Sequence, residues 1–505
     1  MNNIYSKLKS YSESDYYPYH MPGHKRKKLT DPLNTIADID ITEIYDFDNL
    51  SDPSGILMDA QNKLANYLGV QKSYFLVNGS TVGILTAISS VVPKGGKLLL
   101  ARNAHKSTYH AMCIRDIAPI YVYPDLLRKM NIYEAVTPKQ IEDALAENGK
   151  DINAVIVVSP TYEGRIADIK KISDIVHSYG IPLIVDEAHG AHLDFSDGID
   201  GYPASACKLG ADIVVQSLHK TTPSPTQTAV MHVNSDLVDI DRIDKFLHVY
   251  QSSSPSYPLM AAMEASVDYM MEHGAERLRY MKERFCSLID DVNRECIYIE
   301  AMPFVEGVQD VGKFVFSAMK AGKTGKDLAD ILRDKYHLEF EMSVREYVLA
   351  MFTVADEDEA YDRLRVALIE LDKIFAEELK HCIDNCSDNV MTGSNEDFEM
   401  TSTWEKSEIS ESGNVNVINS ENINTNYSEA VYPMSVAWDM KGTSIDIQDA
   451  EGYCANEFIG LYPPGTPILV PGERITKSHI DDLQKYIDCG YDVTGITNGK
   501  IKIID

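Results

Sequence analysis

Seven short apolar runs punctuate the first half of the chain, at residues 74–77, 98–100, 120–123, 154–158, 183–185, 213–215 and 229–231. Between them, apolar positions recur near every 3.6 residues, as in 56–68, where Gly69 supplies a stop; that spacing predicts helices. Runs that are apolar throughout, rather than alternating, belong to strands buried on both faces. The pattern predicts an α/β fold with a mostly parallel seven-stranded sheet covered by helices. After Tyr257-Pro258 the periodicity predicts helices over 260–273 and 275–296. Residues 311–380 then mix strand-like (Lys313-Phe314-Val315-Phe316) and helical (327–335, 358–380) stretches, a smaller α+β unit.

The texture changes again at 383–430, where Asn, Ser, Asp and Glu dominate and large apolar residues are scarce. Such a stretch cannot bury enough surface to order itself, so it reads as a linker. Apolar segments resume at Val431 around a Pro/Gly-rich stretch, 462–473. The expected organisation is an arm (1–55), a large domain (56–300), a small α+β domain (301–382), the linker (383–430) and a C-terminal α+β domain (431–505).

Composition narrows the function classes. With 77 acidic against 47 basic residues, the formal net charge is -30, which argues against a nucleic-acid partner. The eight cysteines show no zinc-ligand spacing, and no metal is expected. Free thiols, an N-terminus without an apolar signal core and no run long enough to span a bilayer predict a soluble cytoplasmic protein.

The chemistry gathers where strands end, the place ligands occupy in such sheets. Ile184-Val185-Asp186 ends one run, and Ser217-Leu218-His219-Lys220 follows another. A lysine that forms a Schiff base with an aldehyde, and a carboxylate that keeps a pyridine nitrogen protonated, are what pyridoxal 5'-phosphate requires. The bland alternative is two surface charges at strand ends. Asn78-Gly79-Ser80-Thr81 follows the first run and opens a helix, where free N–H groups and hydroxyls suit a phosphate. Ser217 and His219 are further phosphate donors. His105, after the second run, is either a ring that stacks on a flat cofactor or an ordinary loop histidine. His189 supports Asp186 or faces the site. Asp186, His105, His219 and Lys220 are the expected catalytic residues.

Together these pieces resemble the Orn/Lys/Arg decarboxylase family of the aspartate aminotransferase fold. The resemblance rests on His20-Met21-Pro22-Gly23-His24-Lys25, Asn78-Gly79-Ser80-Thr81, Arg102-Asn103-Ala104-His105-Lys106-Ser107, Asp186-Glu187-Ala188-His189-Gly190 with Ser217-Leu218-His219-Lys220, and Tyr462-Pro463-Pro464-Gly465 with Pro471-Gly472-Glu473. It implies decarboxylation of a basic amino acid, arginine first and then lysine or ornithine, to agmatine or a diamine, the currency of polyamine biosynthesis, plus carbon dioxide. It implies that Lys220 holds the cofactor, Asp186 its ring nitrogen, His105 its ring face, and Ser80, Thr81, Ser217 and His219 its phosphate. It implies that Ser253 and Ser254 reach a neighbouring subunit's cofactor, so that the active unit is at least a homodimer, and that Glu473 meets the substrate's distal cation. The chain is similar to the short form without an N-terminal wing domain. Thr222 and Pro225 stand where relatives tend to carry leucine, and a polar and a rigid residue so near Lys220 are expected to reshape the pocket. An aminotransferase or lyase on the same fold, or a non-catalytic cofactor-binding paralogue, would share the core residues.

Overall fold

The computed structural model describes residues 3–14, 22, 36–387, 428–461, 465–488 and 490–504. All seven apolar runs are strands of one sheet. They are β1 (Lys72–Leu76), β2 (Lys97–Ala101), β3 (Ala118–Val122), β6 (Ala154–Val158), β7 (Leu183–Asp186), β8 (Ile213–Gln216) and β9 (Ala229–Val233); a small hairpin, β4 (Leu126–Leu127) with β5 (Ile132–Tyr133), follows β3. The sheet order is β1-β9-β8-β7-β6-β2-β3. Pairing is parallel from β3 through β8, and β9 alone runs against its neighbours. The fold is therefore α/β with a mostly parallel sheet.

Away from the edge strand β3, which is half-buried, both faces of the sheet are dry, and side chains alternate between them as the pleat requires. Leu99, Val155, Val157, Leu183 and Val185 enter one core, while Leu98, Leu100, Ala154, Ile156 and Ile184 enter the other. The parallel strands direct their carboxyl ends to one edge, so the segments after β1, β2, β6, β7 and β8 converge there.

The stretch after Ser256 differs from expectation. One unbroken helix, Tyr257–Glu295, replaces the two predicted around Gly274. Gly274 is there for space: a Cβ on it would lie 3.2 Å from the Phe195 Cβ. Close packing, rather than a break in the helix, explains the glycine. The helix Ile4–Ser12 docks on it, with Ile4 N–H donating to the Glu264 carboxylate at 2.7 Å.

The helix leads into a second sheet, antiparallel throughout, of β10 (Glu300–Ala301), β11 (Lys313–Ser317), β12 (Met342–Ser343) and β13 (Val348–Met351), in the order β10-β11-β13-β12. The helix Asp358–Ser387 follows. Residues 428–504 build a further α+β unit around Ile447, Leu469, Ile480, Leu483 and Ile501.

Candidate active site

The edge where strands end opens into a cavity of about 1080 Å³, lined by Ser80, His105, Asp186, His189, His219 and Lys220 among others. Residues from four separate strand ends therefore share one space. Asp186 is the last residue of β7 and is buried; its Oδ1 accepts the Ala188 N–H at 3.1 Å, and it also faces the cavity. Burial pushes its pKa up, against the pull of Lys220. A carboxylate so poorly solvated gains from a cation set beside it.

Lys220 lies on the short helix Leu218–Thr221 after β8. Its Nζ is 3.0 Å from His189 Nε2, and Nδ1 of the same ring is 3.0 Å from the Lys313 Nζ. Burial lowers the Lys220 pKa, with Asp186 and Glu341 opposing, and lowers that of Lys313 to about 8. Burial, then Lys220 and Lys313, hold His189 well below the usual imidazole range. A neutral imidazole has one N–H and one acceptor nitrogen, whereas an ammonium only donates. Both contacts are therefore satisfied when one lysine is charged and the other is a free amine.

His105 caps the helix Lys106–Arg115, its Nδ1 accepting the Ser107 N–H at 3.2 Å. The ring proton then sits on Nε2. Burial, followed by Lys220 and Lys106, pushes the His105 pKa down to about 3. It is a flat, neutral ring on the cavity wall. Ser80 Oγ and Ser217 Oγ meet at 2.7 Å, joining the helix Gly79–Val91 to the end of β8. His219 Nδ1–H donates to the Thr228 carbonyl at 2.9 Å, leaving Nε2 for the cavity; burial lowers its pKa.

Several expectations are corrected. The Gly79 N–H is not a free anion donor, because it donates to the Gln227 carbonyl at 2.8 Å. The glycine serves the turn instead, at φ +69. Thr81 is exposed and does not line the cavity. Ser253 and Ser254 are exposed and lie outside this chain's own cavity, which leaves their expected reach to a neighbouring subunit untouched. Glu473 does not face the cavity. It is 3% exposed, and its carboxylate accepts from Arg102 Nη2 and from the Val470 N–H, both at 2.9 Å. Burial raises its pKa despite Arg102. Thr222 donates to the Leu218 carbonyl at 2.8 Å, Pro225 is exposed, and neither lines the pocket. The motifs at 20–25 (except Pro22) and 462–464 lie outside the described residues, as does most of the linker.

The structure also brings in residues that sequence reasoning missed. Tyr162, after β6, packs on His189 with ring centroids 4.7 Å apart, and its hydroxyl donates to Glu341. Glu163 is half-buried beside them and accepts the Tyr347 hydroxyl at 2.9 Å. Arg102, quoted for its motif alone, donates to the Pro467 and Ile468 carbonyls at 2.8 and 3.0 Å and so ties the loop carrying His105 to the C-terminal unit. Lys313 reaches the site from the second sheet.

The family model for "Orn/Lys/Arg decarboxylase, major domain" matches residues 2–340, and that for the C-terminal domain matches 422–494. The chain belongs to the Orn/Lys/Arg decarboxylase family. The uncharacterized protein YaaO of Bacillus subtilis is 32% identical over 99% of this chain and 96% of its own length. An arginine decarboxylase of the same organism is 28% identical, with the same coverage. The structure of the Escherichia coli constitutive lysine decarboxylase superposes with a TM-score of 0.77 over 99% of this chain and 82% of its own, at 16% identity, and shares the fold. As a member of this family the chain is a carboxy-lyase that acts on a basic amino acid with pyridoxal 5'-phosphate. The residues at the strand ends fit that cofactor: a lysine of lowered basicity, a buried carboxylate, a neutral ring and a pair of hydroxyls.

Proposed function

We propose that this member decarboxylates arginine to agmatine and carbon dioxide, feeding polyamine biosynthesis, with Lys220 as the cofactor lysine. One observation carries the residue roles: the amine of Lys220, the carboxylate of Asp186 and the ring of His105 open onto the same cavity. Asp186 would hold the ring nitrogen, His105 would floor the ring, and Ser80, Ser217 and His219 would hold the phosphate. When bound, the cofactor supplies the electron sink for the bond that breaks. The chain's own part is orientation and electrostatics. Asp186 and His189 are buried and Lys220 is half-buried, which limits water around them, and Lys220 or His219 returns a proton to the substrate's Cα.

Arginine as substrate is supported by the Bacillus arginine decarboxylase, alike over nearly its full length, and by the carboxylates of Glu163, Glu341, Glu346 and Asp482 in the cavity wall, which suit a distal cation. Exposure of Ser253 and Ser254 is compatible with a homodimer in which they serve a neighbouring site. The described cysteines, Cys113, Cys207, Cys286, Cys296 and Cys454, are free thiols, and no described helix is long and apolar enough to cross a membrane, which supports a cytoplasmic setting. Purified protein with the cofactor should release carbon dioxide and agmatine from arginine faster than the corresponding amines from lysine or ornithine, read by mass. Preference for lysine or ornithine would overturn the substrate, and transamination without carbon dioxide would overturn the reaction.

A further inference from the structure

Lys313 has no part in the roles above, yet it is among the least exposed lysines of the chain, at 2%. It begins β11 in the second sheet, 124 residues from His189 in sequence. Space has been left for it: a Cβ on Gly164 would lie 2.6 Å from the Lys313 Cγ. A buried lysine ordinarily has a carboxylate at contact distance. Among the described residues no ion pair within 4.0 Å reaches Lys313, and its amine is spent on His189 Nδ1 at 3.0 Å. Nε2 of the same ring is 3.0 Å from Lys220. Two amines thus sit on opposite nitrogens of one buried imidazole.

We propose that Lys313 is a positioning residue that takes up, through His189, the proton Lys220 must lose before it can bond to the cofactor. The inference deepens the reading of Lys220 as the cofactor lysine and rests on it. The step balances. The Lys220 ammonium gives a proton to His189 Nε2 as His189 Nδ1–H passes its own to the Lys313 amine. Lys220 becomes a neutral nucleophile, His189 remains neutral in its other tautomer, and Lys313 becomes the cation. Net charge inside the site does not change, so no ion has to be created or expelled where solvation is poor. The surroundings allow either end to be charged. Asp186 and Glu341 face Lys220, whereas Asp310, Glu163 and Glu341 face Lys313. His105 and His219 are the other titratable neighbours of His189. The lowered basicity of Lys313 brings its proton affinity within reach of physiological pH, which a shared proton needs.

The test reads cofactor capture by the apoprotein, followed as growth of visible absorbance on adding pyridoxal 5'-phosphate across a pH series. Two contacts across one ring place the amines roughly 8 Å apart, and a like charge at that distance, through an effective dielectric near 20, moves a titration midpoint by about one to two pH units. Lys313→Met removes the second charge, so its capture midpoint should rise by about that much. Capture at neutral pH should then fall at least roughly tenfold and recover in alkali. Lys313→Arg is a standing cation that can take up no proton, so it should push the midpoint below the wild-type value, which serves as the test by itself if the methionine variant does not fold. A Lys313→Met profile that overlays the wild type, or a Lys313→Arg profile that overlays it or shifts upward, overturns the inference while leaving Lys220 in place. Capture by Lys220→Ala would overturn the assignment of Lys220 and this inference with it.

Discussion

Glu473→Gln separates two roles that one carboxylate cannot hold together. In the structure Glu473 is an anchor, its Oε2 accepting from Arg102 Nη2 and the Val470 N–H at 2.9 Å each and its Oε1 accepting from the same Nη2 at 3.3 Å. Glutamine keeps the shape and one acceptor, but it removes the charge and turns an amide N–H₂ toward the guanidinium. A hydrogen bond to a charged group is worth about 1.5–3 kcal/mol. A buried charge left wholly alone costs about 3–5 kcal/mol. Arg102 would not be alone, because the Pro467 and Ile468 carbonyls still accept from it. The loss should therefore be about 2–3 kcal/mol, or a roughly 30- to 150-fold shift in the docking equilibrium of the C-terminal unit. Hydrogen exchange of residues 465–475 should speed up by that factor. Cofactor affinity should weaken with it, since the loop carrying His105 is held by the same unit: Lys106 N–H donates to the Gly465 carbonyl at 3.0 Å, and the Thr466 hydroxyl to that of Asn103 at 3.2 Å. Unchanged exchange, with a KM for arginine raised about 100-fold, would refute the reasoning, because about 2.7 kcal/mol of binding would then have come from the carboxylate meeting the substrate.

Two further predictions concern the cavity. Asp186→Ala should lower kcat by orders of magnitude while leaving most of the cofactor bound, measured as absorbance per subunit beside turnover; loss of the cofactor with normal turnover per remaining holoenzyme would contradict it. His105 is held neutral with its pKa near 3, below the unfolded value of about 6.5. The unfolded chain therefore binds more protons in that window, and this contribution to apoprotein stability is full above about pH 6.5 and is lost as pH falls toward 3. His105→Phe should flatten that acid limb in urea midpoints taken across pH; an unchanged slope would show that His105 is solvated.

The hydrophobic pattern located all seven strands because six are buried nearly throughout, and the edge strand β3, though exposed at Ala118 and half-buried over 119–121, is still apolar in sequence. It could not show that β9 runs against the others, because reversal leaves the pattern untouched. Gly274 looked like a break because a glycine within a helix and one at its end read alike; only the neighbouring Phe195 distinguishes them. That Asp186 and Lys220 share one cavity was legible because strand ends concentrate ligand chemistry. Glu473 was not, since a carboxylate's partner is set by folding, and Arg102 lies 371 residues away. Lys313 was invisible for the same reason: at the head of an apolar run, nothing local says that its amine reaches His189 in another unit. Gly79 was half legible, its backbone freedom being plain and the engagement of its N–H with Gln227 hidden.

The assignment of the cofactor lysine is tested most directly by reducing the holoenzyme with borohydride and mapping the cofactor adduct by peptide mass spectrometry. The structure holds two lysines against one histidine, Lys313 buried and Lys220 half-buried, and the account predicts the adduct on the peptide containing Lys220, stoichiometric with bound cofactor and absent from Lys220→Ala. An adduct on Lys313, or cofactor that washes away unreduced, would contradict it.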